Sequence, residues 1–101
     1  MSEFAAAVPT VQVDNARVRV TEWRLPVGAH TGWHRHAYDY IVVPLTDGVL
    51  AAVHGDGERR TELKGGASYF RQAGVEHDVI NAGAAEFTFV EVEIKAHGIK
   101  N

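Results

Sequence analysis

Residues 28 to 40 read GAHTGWHRHAYDY, and residues 66 to 81 read GASYFRQAGVEHDVIN. The first stretch carries His34 and His36, and the second carries His77. Side chains two positions apart in a β-strand project from the same face, so His34 and His36 are expected to lie side by side. A third imidazole from a separate strand-like run would complete a metal site with open positions for water, substrate or dioxygen. These three histidines are therefore the candidate metal ligands.

The rest of the chain is divided into short β-like runs by turn signals. The predicted runs are Val11–Val13, Ala16–Leu25, Tyr38–Leu45, Val49–His54, Glu58–Leu63, Ala67–Arg71, His77–Asn81 and Glu86–Lys95. Asp47-Gly48 and Asp56-Gly57 are typical of hairpin turns. No segment carries sustained helical periodicity. Many short strands with regular turns predict an all-β sandwich or barrel over residues 9 to 101, preceded by an N-terminal arm over residues 1 to 8.

Length, charge and cysteine content narrow the kind of protein. A chain of 101 residues is sufficient for one domain. The net charge of −3 gives no basic surface, so no nucleic-acid partner is expected. Long apolar runs and a charged leader are both missing from the sequence, which predicts a cytoplasmic protein with no membrane partner. The absence of cysteine excludes disulfides and thiolate ligands, which leaves imidazole, carboxylate and phenolate for a metal.

The two histidine stretches resemble the two signature motifs of the cupin family. The matching positions are Gly28, His34, His36 and Gly48 in the first motif, and Gly66, Gly74, His77 and Asn81 in the second. Two positions depart from the family pattern, because Tyr40 stands in place of a glutamate and Gln72 in place of a proline. The resemblance implies a double-stranded β-helix, or jelly-roll, cupin barrel. It also implies one divalent metal per chain, with Fe(II) favoured and Zn, Ni or Mn as alternatives.

The replacement at Tyr40 bears most directly on the chemistry. In a regular strand Tyr40 would share a face with His34 and His36, whereas Asp39 would point away. Tyr40 is expected to donate a hydrogen bond to bound water or substrate. Coordination as a phenolate is the alternative, since a metal lowers the pKa of a bound ligand, and simple filling of the barrel is a third. His30 is a second candidate catalytic group, for proton transfer at the pocket mouth, or else a solvated turn residue.

Four further side chains are candidates for the substrate pocket. Trp33, Tyr38 and Tyr69 are aromatic groups available to line or cover it, and Tyr38 is favoured because it shares strand parity with His36. Arg71 precedes the turn of the second motif and would either anchor a carboxylate or be solvated. Other polar residues receive structural assignments: Arg35 to an ion pair with Asp39, His54 and His97 to the surface, and Asn81 to fastening a turn by side-chain hydrogen bonds.

Two strands have apolar residues on both faces. In Arg17–Leu25 the apolar positions change face, which predicts a bulge near Thr21-Glu22 or a strand covered on both sides. In Glu86–Lys95 the residues Val90, Val92 and Ile94 form one apolar face, and two phenylalanines, Phe87 and Phe89, form the other. Exposed phenylalanines on a small barrel predict a covered outer face and hence a homodimer. Local packing under the N-terminal arm is the alternative.

The resemblance is closest to small single-domain bacterial cupins associated with β-alanine degradation. It implies a metal-dependent enzyme that acts on a small polar organic acid. A tri-histidine dioxygenase-like reaction is favoured, followed by a lyase or isomerase reaction in which the metal is a Lewis acid. The alternatives are a non-catalytic metal-containing module that binds or senses a small molecule, and an accessory protein for a catabolic enzyme.

Overall fold

The computed structural model describes residues 5 to 95, and these form two β-sheets. The nine strands of this part of the chain are β1 (Val8–Asp14), β2 (Val18–Leu25), β3 (His34–Arg35), β4 (Asp39–Pro44), β5 (Gly48–His54), β6 (Gly57–Leu63), β7 (Tyr69–Arg71), β8 (Glu76–Asn81) and β9 (Phe87–Ile94). They confirm the all-β prediction, and only the two-residue strand β3 lies outside the predicted runs. Within residues 5 to 95, no helix has the length and apolar character needed to cross a membrane.

The chain crosses repeatedly between the two sheets, except that β1 and β2, and likewise β5 and β6, are consecutive strands of one sheet. The five-stranded sheet has the order β1-β2-β9-β4-β7, and the four-stranded sheet has the order β3-β8-β5-β6. Neighbouring strands are antiparallel in both sheets. Inward and outward side chains alternate along the strands, as in β4, where Tyr40, Val42 and Pro44 are buried and the residues between them are half-buried. The core therefore lies between the two sheets.

The closely packed part of the core is centred on Phe87. This side chain and Leu25 are fully buried, and the two residues are paired across β2 and β9. Gly48 lies directly against the Phe87 ring, and a Cβ atom at this position would overlap the ring. A glycine is therefore required at position 48 by this close approach and not by a positive φ angle.

Strand β9 presents the opposite face to the one predicted. Phe87 and Phe89 point into the core, with exposures of 0% and 4%, whereas Val90, Val92 and Ile94 are half-buried on the outer side. The alternation of apolar residues is compatible with either face of β9 pointing into the core. The space beside Gly48 accommodates the Phe87 ring, so the phenylalanine face points inward. The argument from exposed phenylalanines to a homodimer is therefore wrong in its premise. The homodimer itself stays a prediction. The apolar residues of β9 that could form its interface are Val90, Val92 and Ile94 on the outer face.

The predicted bulge in β2 is also wrong. Residues 18 to 25 pair with residues 94 to 87 in one continuous register. The register shift lies instead in the neighbouring strand, between Val11 and Val13 of β1. Thr21 and Leu25 are buried on the inner side of β2, and Val18 and Val20 are half-buried on the outer side. The alternative reading, a strand with partial cover on both faces, describes β2 better.

The two predicted hairpin turns have different outcomes. Asp56-Gly57 is confirmed, because β5 and β6 form an antiparallel pair that closes at His54 and Gly57. Asp47-Gly48 does not close a hairpin, since β4 and β5 belong to different sheets. The Asp47 carboxylate instead accepts a hydrogen bond of 2.8 Å from the Gly65 backbone amide, and so fixes this crossing between the sheets.

Part of the predicted N-terminal arm is attached to the barrel. The His30 amide donates to the carbonyl of Ala5 (3.0 Å), and the Ala7 amide donates to the carbonyl of His30 (2.9 Å). Val8 already belongs to β1. Residues 1 to 4 of the arm lie outside the described residues.

Candidate metal centre

Three histidine side chains converge between the two sheets. His34 of β3 and His77 of β8 are paired directly across the antiparallel strands. Strand β3 ends at Arg35, and His36 reaches the same point from the first residue after it, where its amide donates to the Val75 carbonyl at 2.9 Å. The Nε2 atom of His36 is 3.0 Å from that of His34 and 3.3 Å from that of His77. The structure thus brings the three predicted ligands together with the same nitrogen of each ring pointing inward.

The spacing of these nitrogens fits a single metal ion. Two nitrogens that are each about 2.0–2.1 Å from one ion lie about 2.9–3.4 Å apart when the angle between them is about 90–110°. The distances of 3.0 and 3.3 Å fall in this range. His34, His36 and His77 therefore form a group that could hold a metal.

The protonation of two of these imidazoles also suits metal binding. Burial lowers the pKa of His36 to about 4, with a further contribution from His34. Burial likewise lowers the pKa of His77 to about 3, and the neighbouring His34, His36 and His54 contribute in the same direction. Both rings are therefore neutral at pH 7, with the lone pair free that a metal requires.

A hydrogen-bond chain orients the His34 ring. Its Nδ1 atom lies 2.8 Å from the Gly32 carbonyl, which can only accept, so Nδ1 donates and Nε2 is the nitrogen that faces the other two histidines. The Gly32 amide in turn donates to Asp78 Oδ1 at 2.9 Å, and the other Asp78 oxygen lies 2.9 Å from Nδ1 of His30. Gly32 has a φ of 89°, which lets its amide and carbonyl serve both partners. His30 is thus part of the support behind a ligand and lies outside the cavity wall.

Tyr40 packs against a candidate ligand. Its ring stacks on that of His36, with ring centroids 3.8 Å apart and an angle of 17° between the planes. The side chain is 2% exposed. Burial raises the pKa of Tyr40, Glu91 and Tyr69 add to the increase, and Arg71 opposes it. The protein environment alone therefore favours the neutral phenol, and the hydrogen-bonding role of Tyr40 stays a prediction.

Two inward carboxylates were not identified from the sequence. The Oε2 atom of Glu91 lies 3.9 Å from the His36 Nε2 atom, and Glu93 is buried on the same face of β9. Burial raises the pKa of Glu91 to about 7, Glu93 adds to the increase, and Trp23 and Arg19 oppose it. The sequence feature that could have identified them is the alternation of Phe87, Phe89, Glu91 and Glu93 on one strand face. It predicts inward glutamates only if the phenylalanine face is assigned to the interior.

A cavity of about 480 Å³ opens beside the histidines. Its wall is largely apolar, with residues such as Val42, Leu50 and Phe89, and also includes His34 and His77. The polar and charged side chains around these are Thr31, Tyr40, His54, Arg59, Thr61, Tyr69, Arg71 and Glu91. Its size is typical of small-molecule sites.

Two of the four predicted pocket residues line this cavity. The Arg71 guanidinium carbon lies 4.5 Å from the centre of the Tyr69 ring, and Arg71 donates to the Phe70 carbonyl at 3.0 Å. The structure places Trp33 and Tyr38 outside the lining. Trp33 is 56% exposed, and Tyr38 lies in the bend between β3 and β4, where the assumption of a regular strand fails.

Other polar residues also differ from their predicted places. His54 was assigned to the surface, but it lines the cavity with its ring 5.5 Å from that of His77. Arg35 faces away from the histidines, as expected, but its nearest acidic partner is Glu76 at 3.7 Å. Asp39 instead accepts a hydrogen bond of 2.8 Å from the Ala73 amide. His97 lies outside the described residues.

The structural role predicted for Asn81 is confirmed. Its buried side chain donates to the carbonyls of Leu25 (2.9 Å) and Ala85 (2.8 Å), and accepts from the Gly83 amide (2.9 Å). One side chain therefore holds the connection from β8 to β9 and ties it to the end of β2.

The chain is similar in sequence to a known family of proteins. The family model of the cupin domain (Cupin_2) matches residues 21 to 93. The β-alanine degradation protein BauB of Pseudomonas aeruginosa is 62% identical over 95 residues, which cover 94% of this chain and 100% of that protein.

The fold of this chain is also similar to that of solved cupin structures. The crystal structure of a cupin domain from Bordetella pertussis Tohama I has a TM-score of 0.92 and 54% identity, over 95% of this chain and 100% of that chain. A conserved protein with a double-stranded β-helix domain from Klebsiella pneumoniae has a TM-score of 0.74 and 21% identity, over 98% of this chain and 85% of that chain, and shows the fold alone. The predicted double-stranded β-helix is therefore confirmed, and the chain belongs to the cupin family.

Proposed function

We propose that this cupin is a metal-dependent enzyme whose substrate is a small organic acid. The observation that carries the proposal is the convergence of three imidazole Nε2 atoms, 3.0 and 3.3 Å apart, beside a cavity of small-molecule size. Two of the three histidines line that cavity directly. A substrate in the cavity would therefore lie next to the metal.

Two cationic side chains support a carboxylic acid as substrate. Arg59 and Arg71 are both in the cavity wall. The Arg71 guanidinium lies over the Tyr69 ring, which limits its freedom before a ligand arrives. A guanidinium binds a carboxylate with two parallel hydrogen bonds. The name of the Pseudomonas relative, a β-alanine degradation protein, supports β-alanine or a short acid derived from it.

The donor set supports a particular order of reaction types. A bound metal would supply Lewis-acid chemistry or, if it is iron, the activation of dioxygen. Three neutral nitrogen donors suit Fe(II) and leave positions for further ligands. We therefore favour a dioxygenase-like reaction, and a lyase or isomerase reaction is the second proposal. In either case Arg71 would hold the carboxylate, and the apolar wall, including Val42, Leu50 and Phe89, would exclude water from the reacting atoms.

The decisive experiment combines metal analysis with an activity screen. The protein is purified without a histidine tag or added metal, analysed for metals, and then reconstituted anaerobically with Fe(II). Oxygen uptake and product formation are measured with β-alanine and with two- to four-carbon carboxylic acids. Near-stoichiometric iron with oxygen uptake supports the dioxygenase-like reaction, and conversion without oxygen uptake supports the lyase or isomerase.

Two results would count against the enzyme. An acid that binds to the metal-loaded protein and is recovered unchanged would indicate a binding or sensor module. Failure to bind any divalent metal would contradict the metal centre itself. Arg35→Ala is a suitable control variant, because this side chain lies between His34 and His36, faces away from them and is 67% exposed. It should retain both metal and activity.

A further inference from the structure

The charge of the proposed metal centre is not balanced by its three histidines. Neutral imidazoles contribute no negative charge, so a divalent ion held by them alone keeps its full charge of +2. The first cupin motif has a glutamate where this chain has Tyr40. The Tyr40 ring is stacked on His36 and carries no charge as a phenol. A carboxylate close to the three histidines would offset this charge, and it would have to come from an element other than Tyr40.

Strand β9 brings a carboxylate to the same place. It pairs with β4 so that Glu93 lies opposite Tyr40 and Glu91 lies opposite Val42. The Glu91 side chain points inward, lines the cavity and is 13% exposed. Its Oε2 atom is 3.9 Å from the His36 Nε2 atom, so the carboxylate approaches the candidate ligands from the strand next to Tyr40.

A comparison with Glu93 shows how unusual the surroundings of Glu91 are. The Glu93 carboxylate is bound by Arg19 through two contacts, of 2.7 Å to Nε and 3.3 Å to Nη2. Glu91 accepts a hydrogen bond from the Trp23 side chain, but between residues 5 and 95 no lysine or arginine forms an ion pair with it. Removing a carboxylate from water without a positive partner costs free energy, and a buried carboxylate that stays charged is usually paired or binds a metal. Glu91 therefore lies where its carboxylate would meet a cation bound beside His36.

We propose that Glu91 is the anionic residue of the metal centre and balances the charge of the ion held by His34, His36 and His77. This inference rests on the proposed metal binding by the three histidines. In this proposal β9 contributes the negative charge that Tyr40 does not.

The test compares the metal affinity of two glutamate variants. The wild-type protein and the variants Glu91→Gln and Glu76→Gln are stripped of metal and titrated with Zn²⁺ at pH 8. Glu91→Gln should bind Zn²⁺ at least about tenfold more weakly than the wild type, the effect typical of groups that support metal ligands. Glu76→Gln is the matched control, because Glu76 precedes His77 on β8 but is 52% exposed and pairs with Arg35. It should bind within about twofold of the wild type.

Thermal unfolding separates a role in charge balance from a purely structural one. Without metal, Glu91→Gln should unfold at a temperature equal to or higher than that of the wild type, because a neutral amide needs no positive partner. With Zn²⁺ the order should reverse, since the variant gains less from the ion. A lower unfolding temperature without metal, together with an unchanged Zn²⁺ increment, would overturn the proposal.

The Zn²⁺ titrations also distinguish failure of this inference from failure of the proposed function. Zn²⁺ binding by Glu91→Gln with the wild-type affinity would overturn this inference and leave the proposed function intact, whereas a wild-type protein that binds no metal would overturn both. If Glu91→Gln does not fold, Glu91→Asp replaces it in the comparison. This variant keeps the charge and should hold Zn²⁺ more tightly than Glu91→Ala, and equal affinities would contradict the proposal.

Discussion

The same strands build a closed end and an open end of the barrel. On β9, Phe87 is buried in the packed end and Phe89 lies at the boundary, where it also lines the cavity, whereas Glu91 and Glu93 point inward on the side of the histidines. The packed end leaves so little space that Gly48 cannot carry a side chain, while the other end encloses about 480 Å³. Inward positions thus change from aromatic to acidic halfway along one strand. The comparison indicates that stability and ligand binding are separated along the strand direction, so mutations at the two ends should have different effects.

The largest effect on binding is expected at the open end from His77→Ala. Removal of one of three ligands should abolish stoichiometric metal binding. Metal analysis after reconstitution, together with thermal unfolding of the metal-free variant, measures binding and folding separately. Retention of one full equivalent of metal would contradict the three-histidine centre.

The largest effect on stability is expected at the closed end from Phe87→Ala. The ring is fully buried against Gly48 and Leu25, and its removal should lower the free energy of unfolding by about 3–5 kcal/mol. Urea unfolding measures this loss. Under conditions where the variant is folded, its metal affinity should be close to that of the wild type. A fall in affinity as large as that of His77→Ala would show that the two ends are not separable.

Acid should weaken the metal-free barrel through its open end. The pKa values of His36 and His77 are lowered in the folded protein to about 4 and about 3, so the unfolded chain binds protons first. The contribution of these two neutral histidines to stability is therefore fully present above about pH 6.5 and is lost as the pH falls toward 3. The raised pKa of Glu91 opposes part of this loss between about pH 7 and 4.5. Unfolding temperatures measured from pH 7 to pH 4 should fall less steeply for His77→Ala than for the wild type, and parallel curves would contradict this account.

The smallest structural effect is expected from Tyr40→Phe. This variant keeps the ring that stacks on His36 and removes only the hydroxyl group. It should retain a full equivalent of metal and nearly the wild-type stability, while turnover of the substrate falls. Loss of the metal would instead identify Tyr40 as a ligand. Unchanged turnover would leave it with the role of packing alone.

The sequence predicted the open end in part and the closed end poorly. His34, His36 and His77 were identifiable because a motif fixes their spacing, whatever the exact path of the strand between them. The orientation of β9 was not predictable from periodicity, since Val90 and Val92 are as apolar as the phenylalanines opposite them. The position of Tyr38 was missed for a related reason, because the parity argument requires a regular strand and the chain bends after Arg35.

Glu91 and His54 illustrate a second limit. Neither belongs to a motif, and each approaches the histidines only because strands distant in sequence become neighbours in the folded barrel. Periodicity describes which side of a strand a residue faces, but not which end of the barrel it occupies. The predicted homodimer depends on the outer face of β9 and stays a prediction, which light scattering coupled to size-exclusion chromatography would test.

The position of His34 on the shortest strand has a consequence for how firmly this edge of the barrel is held. Within residues 5 to 95, strand β3 has two residues and pairs only with β8, although backbone hydrogen bonds of Thr31 and His36 flank it. An ion that joins His34 and His36 to His77 would act as a cross-link between two segments, with 41 positions separating His36 from His77. Closure of such a loop is entropically costly for the free chain. An ion bound by the three histidines would thus hold β3 against β8 more firmly than the short strand pairing alone.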